Sequence, residues 1–236
     1  MTELVRFPRT PHLAWLGKGT PREDKVLSTA DRDAFLSGEL VVEEKVDGAN
    51  VGIAAGGAGG LVAWNRGTLL ERGQCHPQFG PLFRWMAERE AALLRVLRRD
   101  LALFGEWCYA VHSVRYTRLP DWFLVFDVYD LGRERFWSTS RRNALAAELG
   151  CSTVPELARG RYDLPALRAL FSTSRLGEAP AEGLYLRRET DEWLVERAKL
   201  VRPEFIEGIE EHWRKRPMAT NRLASEPARV PKEACR

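Results

Sequence analysis

Residues 39–54 constrain the fold of this chain more than any other stretch. Glu39-Leu-Val-Val-Glu-Glu-Lys-Val46 is rich in β-branched residues, Asp47-Gly48 is a turn signal, and residues 50–54 turn apolar again. The pattern predicts a strand over 39–46 and a second strand over 50–54. Read locally, Asp-Gly between two strands is a hairpin signal. A Gly/Ala-rich loop at 55–60 then leads into a strand over 61–66. Residues 79–99 place Phe79, Leu82, Phe83, Met86, Leu93, Leu94 and Leu97 at helical spacing. Apolar runs at 101–108 and 122–130 predict buried strands. Ser138 or Ser140 is expected to cap a helix to about Leu149, and Asp163 another to about Phe171. Strands are expected over 183–188 and 192–201, followed by a helix that opens at Pro203 and runs to about Lys215. The tail from Arg216 is expected to be loosely ordered. Many short, mostly adjacent strands with helices outside them predict an α+β fold built on antiparallel sheets.

Composition narrows the class. With 44% hydrophobic and 29% charged residues the chain can bury a real core. Neither a signal-like apolar segment nor a membrane-spanning run is present, so no membrane association is expected. Cys75, Cys108, Cys151 and Cys235 are scattered, as are the four histidines, and neither set has zinc-site spacing. Such cysteine usage suits a reducing, cytoplasmic setting. A net charge of +3 excludes a wholly basic protein but permits a local basic groove. Of the 36 basic residues only six are lysine: Lys18, Lys25, Lys45, Lys199, Lys215 and Lys232. A chain that otherwise uses arginine for positive charge has reason to keep lysine where an amine must react, because a guanidinium does not lose its proton. Lys45 and Lys199 are the two in apolar strand contexts.

Local chemistry singles out Lys45. Burial disfavours an ammonium, so a lysine ending an apolar strand is expected to have its pKa lowered toward that of a usable nucleophile. Asp47, two residues on, points to the same side by strand periodicity, and Gly48 permits a turn or a close phosphate approach. Arg197 and Lys199 share a strand face by the same rule. Glu44 is placed opposite Lys45.

Further along stand Asn65-Arg66-Gly67, Phe104-Gly-Glu106-Trp107, Phe123-Leu-Val-Phe126-Asp127-Val128, Glu182-Gly183-Leu-Tyr-Leu-Arg187 and Arg197-Ala-Lys199-Leu200. With Lys45-Val-Asp47-Gly48 in front, this ordered set resembles the motifs of the covalent nucleotidyltransferase superfamily of polynucleotide ligases and mRNA-capping enzymes. The resemblance covers about residues 39–205 and is greatest to the ATP-dependent RNA-ligase branch. The first motif continues to Asn50, as in RNA ligases that seal nicks in duplexes, where DNA ligases usually have arginine. Arg197 departs from the pattern, since the last motif usually opens with lysine. The stretch after Lys199 is shorter than the oligonucleotide-binding-fold domain of DNA ligases or the helical C-terminal domain of nick-sealing RNA ligases.

The resemblance implies a nucleotidyltransferase (ATP-grasp-like ligase) core of antiparallel sheets flanked by helices over residues 1–205. Residues 206–236 would form a short helical extension and tail. It implies ATP and Mg²⁺ or Mn²⁺ as cofactors, and RNA, including RNA-containing duplex nicks, as partner. A kinase or phosphatase that heals ends is an expected companion. Lys45 would be the nucleophile, aided by Asp47 and Lys199. Glu106 would hold ribose hydroxyls and Phe126 would stack on adenine. Glu44 and Asn50 would contact the nucleotide, and Arg66, Arg197 and Lys199 its phosphates or ribose. Glu182 and Asp47 would hold the metal. The competing readings are a DNA nick ligase, a capping-type enzyme, and a non-catalytic nucleic-acid-binding module on a ligase core.

Overall fold

The computed structural model describes residues 4–21, 26–57, 59–97, 100–207 and 217–225. Two sheets carry the molecule. The first contains β1 (Leu40–Lys45), β9 (Glu156–Gly160), β10 (Gly183–Glu189) and β11 (Leu194–Val201), in the order β11-β10-β1-β9. The second runs β4-β3-β2-β5-β6-β7, from β2 (Ala49–Ala55), β3 (Leu61–Asn65), β4 (Thr68–Leu69), β5 (Leu101–Trp107), β6 (Phe123–Asp130) and β7 (Arg135–Phe136). A short β8 (Ser152–Thr153) pairs parallel with β6, and the other pairings are antiparallel. The helices are α1 (Thr29–Leu36), α2 (Gly80–Leu97), α3 (Thr139–Glu148), α4 (Leu164–Ala169) and α5 (Pro203–Glu207). The α+β arrangement of antiparallel sheets is therefore as the sequence predicts. No helix among the described residues is long and apolar enough to cross a membrane.

Both sheets follow the period-2 rule, and the second also carries a smaller apolar cluster of Ala54, Trp64, Ala102 and Phe104 on its other face. Val51, Ile53, Leu103, Trp107, Phe123 and Val125 point to the side of the second sheet covered by α2 and α3, where Leu82, Trp85, Met86, Leu93 and Leu145 complete the largest core. On the first sheet Leu40, Val42, Leu184, Leu186, Ala198 and Leu200 form another core with Phe35 of α1 and Leu167 of α4. The opposite face of the first sheet is polar. Register pairs Glu43 with Tyr185, Tyr185 with Lys199, and Arg187 with Arg197, which sets these side chains next to Lys45 on one face. That polar face meets the second sheet's Asn50, Glu106 and Phe126.

Three local expectations change in the fold. Asp47-Gly48 is not a hairpin: β1 pairs with β10 and β9, while β2 pairs with β3 and β5, so the dipeptide carries the chain from one sheet to the other. Long-range pairing on both edges of each strand overrides the local turn signal. Gly48 has no left-handed backbone. It is needed for packing, because a Cβ there would meet Trp107 O at 2.7 Å and Glu106 Cγ at 3.0 Å. The third change concerns the tail. Asn221 is buried; it accepts from Tyr116 N (2.8 Å) and donates to Cys108 O (2.8 Å) and Ala110 O (3.2 Å). Residues 217–225 thus lie as an ordered strap along the loop after β5, because backbone polar groups in both segments satisfy each other. The expected helix from Pro203 is described to Glu207, and the rest of its span lies outside the described residues.

Ser138 and Asp163 cap α3 and α4, accepting from Arg141 N and Ala166 N respectively. β9 has too polar a sequence to read as a strand and is drawn in by the free edge of β1.

Candidate active site

Between the two sheets lies a cavity of about 610 Å³. Its lining brings together Glu44, Lys45, Asp47, Asn50, Arg66, Glu106, Phe126, Glu182 and Lys199, residues spread over most of the chain. Lys45 ends β1 on the floor, where its Nζ donates to Glu182 Oε2 at 2.6 Å. The side chains of both are largely enclosed, 23% and 16% exposed. Burial works against the Lys45 ammonium, but Glu182, with Glu106 and Asp47 nearby, outweighs it and holds the pKa above the ordinary lysine value. This reverses the expectation of a lowered pKa. Desolvation alone would have lowered it, but the tertiary structure adds two remote carboxylates, Glu182 and Glu106, to the neighbouring Asp47.

Glu106, on β5, accepts from Gly48 N at 3.0 Å. Burial, with Asp47 and Glu182 as like charges, pushes its carboxyl up to about 8 against the pull of Lys45. Asp47 Oδ2 accepts from Ser113 N (2.6 Å) and Val114 N (2.8 Å), and its own N–H donates to Tyr116 Oη (2.7 Å). Asp47 therefore ties the turn after Lys45 to the loop that the 217–225 strap braces. Glu44 faces away, as alternation requires: its carboxylate accepts from Ser174 Oγ and Arg175 N, and burial raises its pKa.

The half-buried Phe126 packs edge-on against Phe7 of the N-terminal arm, ring centroids 5.1 Å apart. Its carbonyl accepts from the buried Arg142 and Arg187. Arg187 also pairs with Asp127 (2.7 Å), and Arg142 with Glu43 (2.7 Å), all four side chains being fully buried. This ionic layer crosslinks the sheets directly behind the cavity. Arg197 belongs to it. Its Nη1 donates to Asp127 Oδ2 at 3.1 Å and its guanidinium lies over Phe136 (4.0 Å) and Phe7 (4.8 Å). Arg197 thus shares a strand face with Lys199 but does not line the cavity with it. A fully buried carboxylate and two ring faces hold the guanidinium against the wall.

Arg66 stands exposed at the mouth, in the two-residue turn between β3 and β4, with φ 51° followed by Gly67 at φ 87°. The first sheet's polar face also includes Tyr185 and Arg187, to which the motif reading gave no role, and Glu189, which lies outside the motif. The signal was present in the sequence: in 183–189 and 194–201 the odd positions carry Tyr185, Arg187, Glu189, Arg197 and Lys199 between apolar residues. Missed without any sequence signal were His112 and Ser113, delivered to the cavity by a loop; Arg6 and Arg9 of the N-terminal arm, which also line it, are among the basic residues the sequence offers for a nucleic-acid path.

The floor presents Asp47, Glu106 and Glu182 to one ammonium. With Glu106 protonated below about pH 8, Asp47 and Glu182 still set two carboxylates against that ammonium, an excess of negative charge that a divalent cation would relieve. Among the described residues no group of three or more His, Cys, Asp or Glu is disposed to hold a bare ion. A hydrated cation shared with substrate phosphates suits such a site, since Mg²⁺ keeps several waters and uses one or two carboxylates.

The elevated Glu106 pKa predicts a stability penalty. Glu106 stays protonated in the folded chain up to about pH 8, whereas in the unfolded chain it ionises from about 4.5. The unfolded state therefore binds fewer protons between those values, and stability falls as pH rises through that window. Glu106→Gln keeps the acceptor for Gly48 N and removes the penalty. A change of 1 kcal/mol moves the Tm of chains this size by roughly 2–4 °C. Glu106→Gln is expected to melt about 3–6 °C higher than the parent at pH 8.5, with no gain at pH 4.5. Equal melting at both pH values would show that Glu106 carries no such penalty.

The family model described as RNA ligase matches residues 38–201. A mutant of the Naegleria gruberi RNA ligase solved with ATP and Mn superposes with a TM-score of 0.63 at 18% identity, covering 88% of this chain and 58% of that one. A second mutant of that ligase, without ligand, gives 0.63 at 16% identity over 89% and 59%. A third, with AMP and Mn, gives 0.62 at 17% over 88% and 58%. A search of curated sequences finds no match. The chain thus spans under two thirds of the length of those structures, and the likeness establishes the fold of the shared part.

Proposed function

The chain belongs to the RNA ligase family, and on that premise we propose that it joins RNA 3′-hydroxyl and 5′-phosphate ends at the expense of ATP, through AMP carried covalently on Lys45, in the repair of RNA breaks. The observation that supports this most is the 2.6 Å contact of Lys45 with Glu182 on the floor of a cavity of nucleotide size. In the first step Lys45 Nζ attacks the α-phosphorus of ATP. The new N–P bond forms as the bond to the β-phosphate oxygen breaks, and pyrophosphate leaves. The 5′-phosphate of an RNA end then takes the AMP, and a 3′-hydroxyl displaces it. Each is an in-line displacement, so the protein contributes position and counter-charge.

The residues divide that work. Phe126 offers a ring face to adenine, Glu106 its carboxyl to the ribose hydroxyls, and Lys199 and Arg66 positive charge to phosphates. Asn50 sits across from Glu106 on the neighbouring strand, within reach of the nucleotide. Glu182 and Asp47 would hold a hydrated Mg²⁺ or Mn²⁺, which when bound supplies charge neutralisation at the phosphates. Glu182 otherwise keeps Lys45 protonated, so attack requires that this ion pair be loosened.

The direct test is incubation with α-labelled ATP and Mg²⁺ or Mn²⁺. Label is expected to stay with the protein through denaturing electrophoresis, and GTP is expected to give none. Sealing is then assayed on one sequence at low salt, with a 3′-terminal ribonucleotide or deoxyribonucleotide at the nick and with single-stranded ends. The ribonucleotide end is expected to be sealed faster. Labelling by GTP would turn the reading to a capping-type enzyme, and faster sealing of all-DNA nicks to a DNA ligase.

A further inference from the structure

Cavity charge is divided: acids line the floor and arginines line the mouth. The arginines at the mouth come partly from a segment that carries none of the motifs, the N-terminal arm. Its sequence is Val5-Arg6-Phe7-Pro8-Arg9. Alternate residues are anchored. Trp64 Nε1 donates to Val5 O at 2.9 Å. Phe7 sits among Phe126, Phe104 and Phe136, centroids 5.1, 5.2 and 5.4 Å away. Beyond Arg9 the arm is bonded to β11, with Lys199 N donating to Pro11 O (2.9 Å) and Leu13 N to Lys199 O (2.8 Å). An extended chain held at every second residue turns the intervening side chains the other way. Arg6 is accordingly turned away from that support, and both Arg6 and Arg9 are exposed and line the cavity.

Arg6 is also held beside the Arg66 turn, since a Cβ on Gly67 would lie 3.8 Å from Arg6 Cγ. Neither Arg6 nor Arg66 forms an ion pair with a carboxylate among the described residues. Two arginines that line the same cavity from a held arm and a neighbouring turn, neither ion-paired to a described carboxylate, suit an anion.

We propose that Arg6 and Arg9, beside Arg66, form a phosphate subsite of the cavity supplied by the N-terminal arm. It rests on the ligase reading and deepens it, because it takes a phosphate lying beyond the one attacked by Lys45. That phosphate is either the pyrophosphate part of ATP or the 5′-phosphate of the RNA end.

The test is binding, made in a Lys45→Arg background so that no chemistry intervenes. Inorganic pyrophosphate, a 5′-phosphorylated RNA oligonucleotide and its 5′-hydroxyl counterpart are titrated at low salt against the parent and an Arg6→Ala, Arg9→Ala double variant. Both positions are exposed, and melting curves check that the fold is kept. At least one phosphorylated probe is expected to bind about tenfold more weakly to the double variant, which is about 1.4 kcal/mol. A loss confined to pyrophosphate assigns the subsite to the nucleotide tail. A loss for phosphorylated RNA beyond that for the 5′-hydroxyl RNA assigns it to the RNA end. Unchanged binding of both phosphorylated probes, an equal loss for the two RNAs with pyrophosphate unaffected, or no binding by the parent overturns the proposal. Because no adenylylation is read, failure of Lys45 to accept AMP would defeat the ligase reading and leave this result standing.

Discussion

Lys45→Arg is expected to abolish AMP labelling, a loss on the order of 10⁴-fold or more, as is usual when a nucleophile is removed. Arginine keeps a positive charge opposite Glu182 and so keeps the buried acids countered, but a guanidinium is not a nucleophile at neutral pH. The variant should therefore melt within a few degrees of the parent, which separates chemistry from folding. Lys45→Ala is the poorer control, because it leaves Glu182 enclosed without its cation. Undiminished labelling of Lys45→Arg would assign the nucleophile elsewhere. Lys199 would then be the residue to replace next, since among the described residues it is the other lysine that lines the same cavity.

The second large effect is expected at Glu182→Gln, and it has two signatures. Apparent affinity for the divalent cation in adenylylation should fall by about 10–100-fold, the usual cost of losing a group that holds a metal through its waters. High metal should recover part of the rate. The pH profile should move as well. Glu182 is the chief group raising the Lys45 pKa, against the lowering effect of burial. The reactive form is the free amine, so rate rises as pH rises through the Lys45 pKa. Without Glu182 that rise should begin at lower pH, measured at saturating metal. A loss that metal does not relieve, with the pH profile unmoved, would make Glu182 a structural partner of Lys45 and no more.

The glutamate and lysine that meet at 2.6 Å are far apart in the chain, yet both were legible in the sequence. Lys45 ends an apolar strand and Glu182 stands directly before the glycine that opens another, and the order of such segments resembled a known family. The same reasoning predicted most of the strands, because period-2 alternation and apolar runs are local consequences of a buried face. It predicted the caps of α3 and α4, because a side-chain oxygen satisfying a helix N–H is a contact between residues three apart. It failed where the deciding partner was remote. The arm, the strap over residues 217–225 and the loop carrying His112 and Ser113 have no periodicity of their own, and each is held by bonds to distant backbone.

What the sequence determined by itself was the composition of the site: a lysine retained in an arginine-rich chain, carboxylates within apolar strands, and a row of polar residues at alternate positions of β10 and β11. Tertiary structure decided how those groups act on one another. It split β1 from β2 into separate sheets, so that Lys45 meets Glu182 on the floor of a cavity between them, with Glu106 of the second sheet nearby, rather than closing a hairpin. It raised the Lys45 pKa where desolvation alone would lower it, and drew Arg197 onto Asp127, Phe7 and Phe136 behind the wall. The physical reason is common to all three. Strand alternation and burial depend on nearest neighbours, but the Coulomb field at a buried charge is summed over every group that folding brings within a few ångströms, and those groups come from the whole chain.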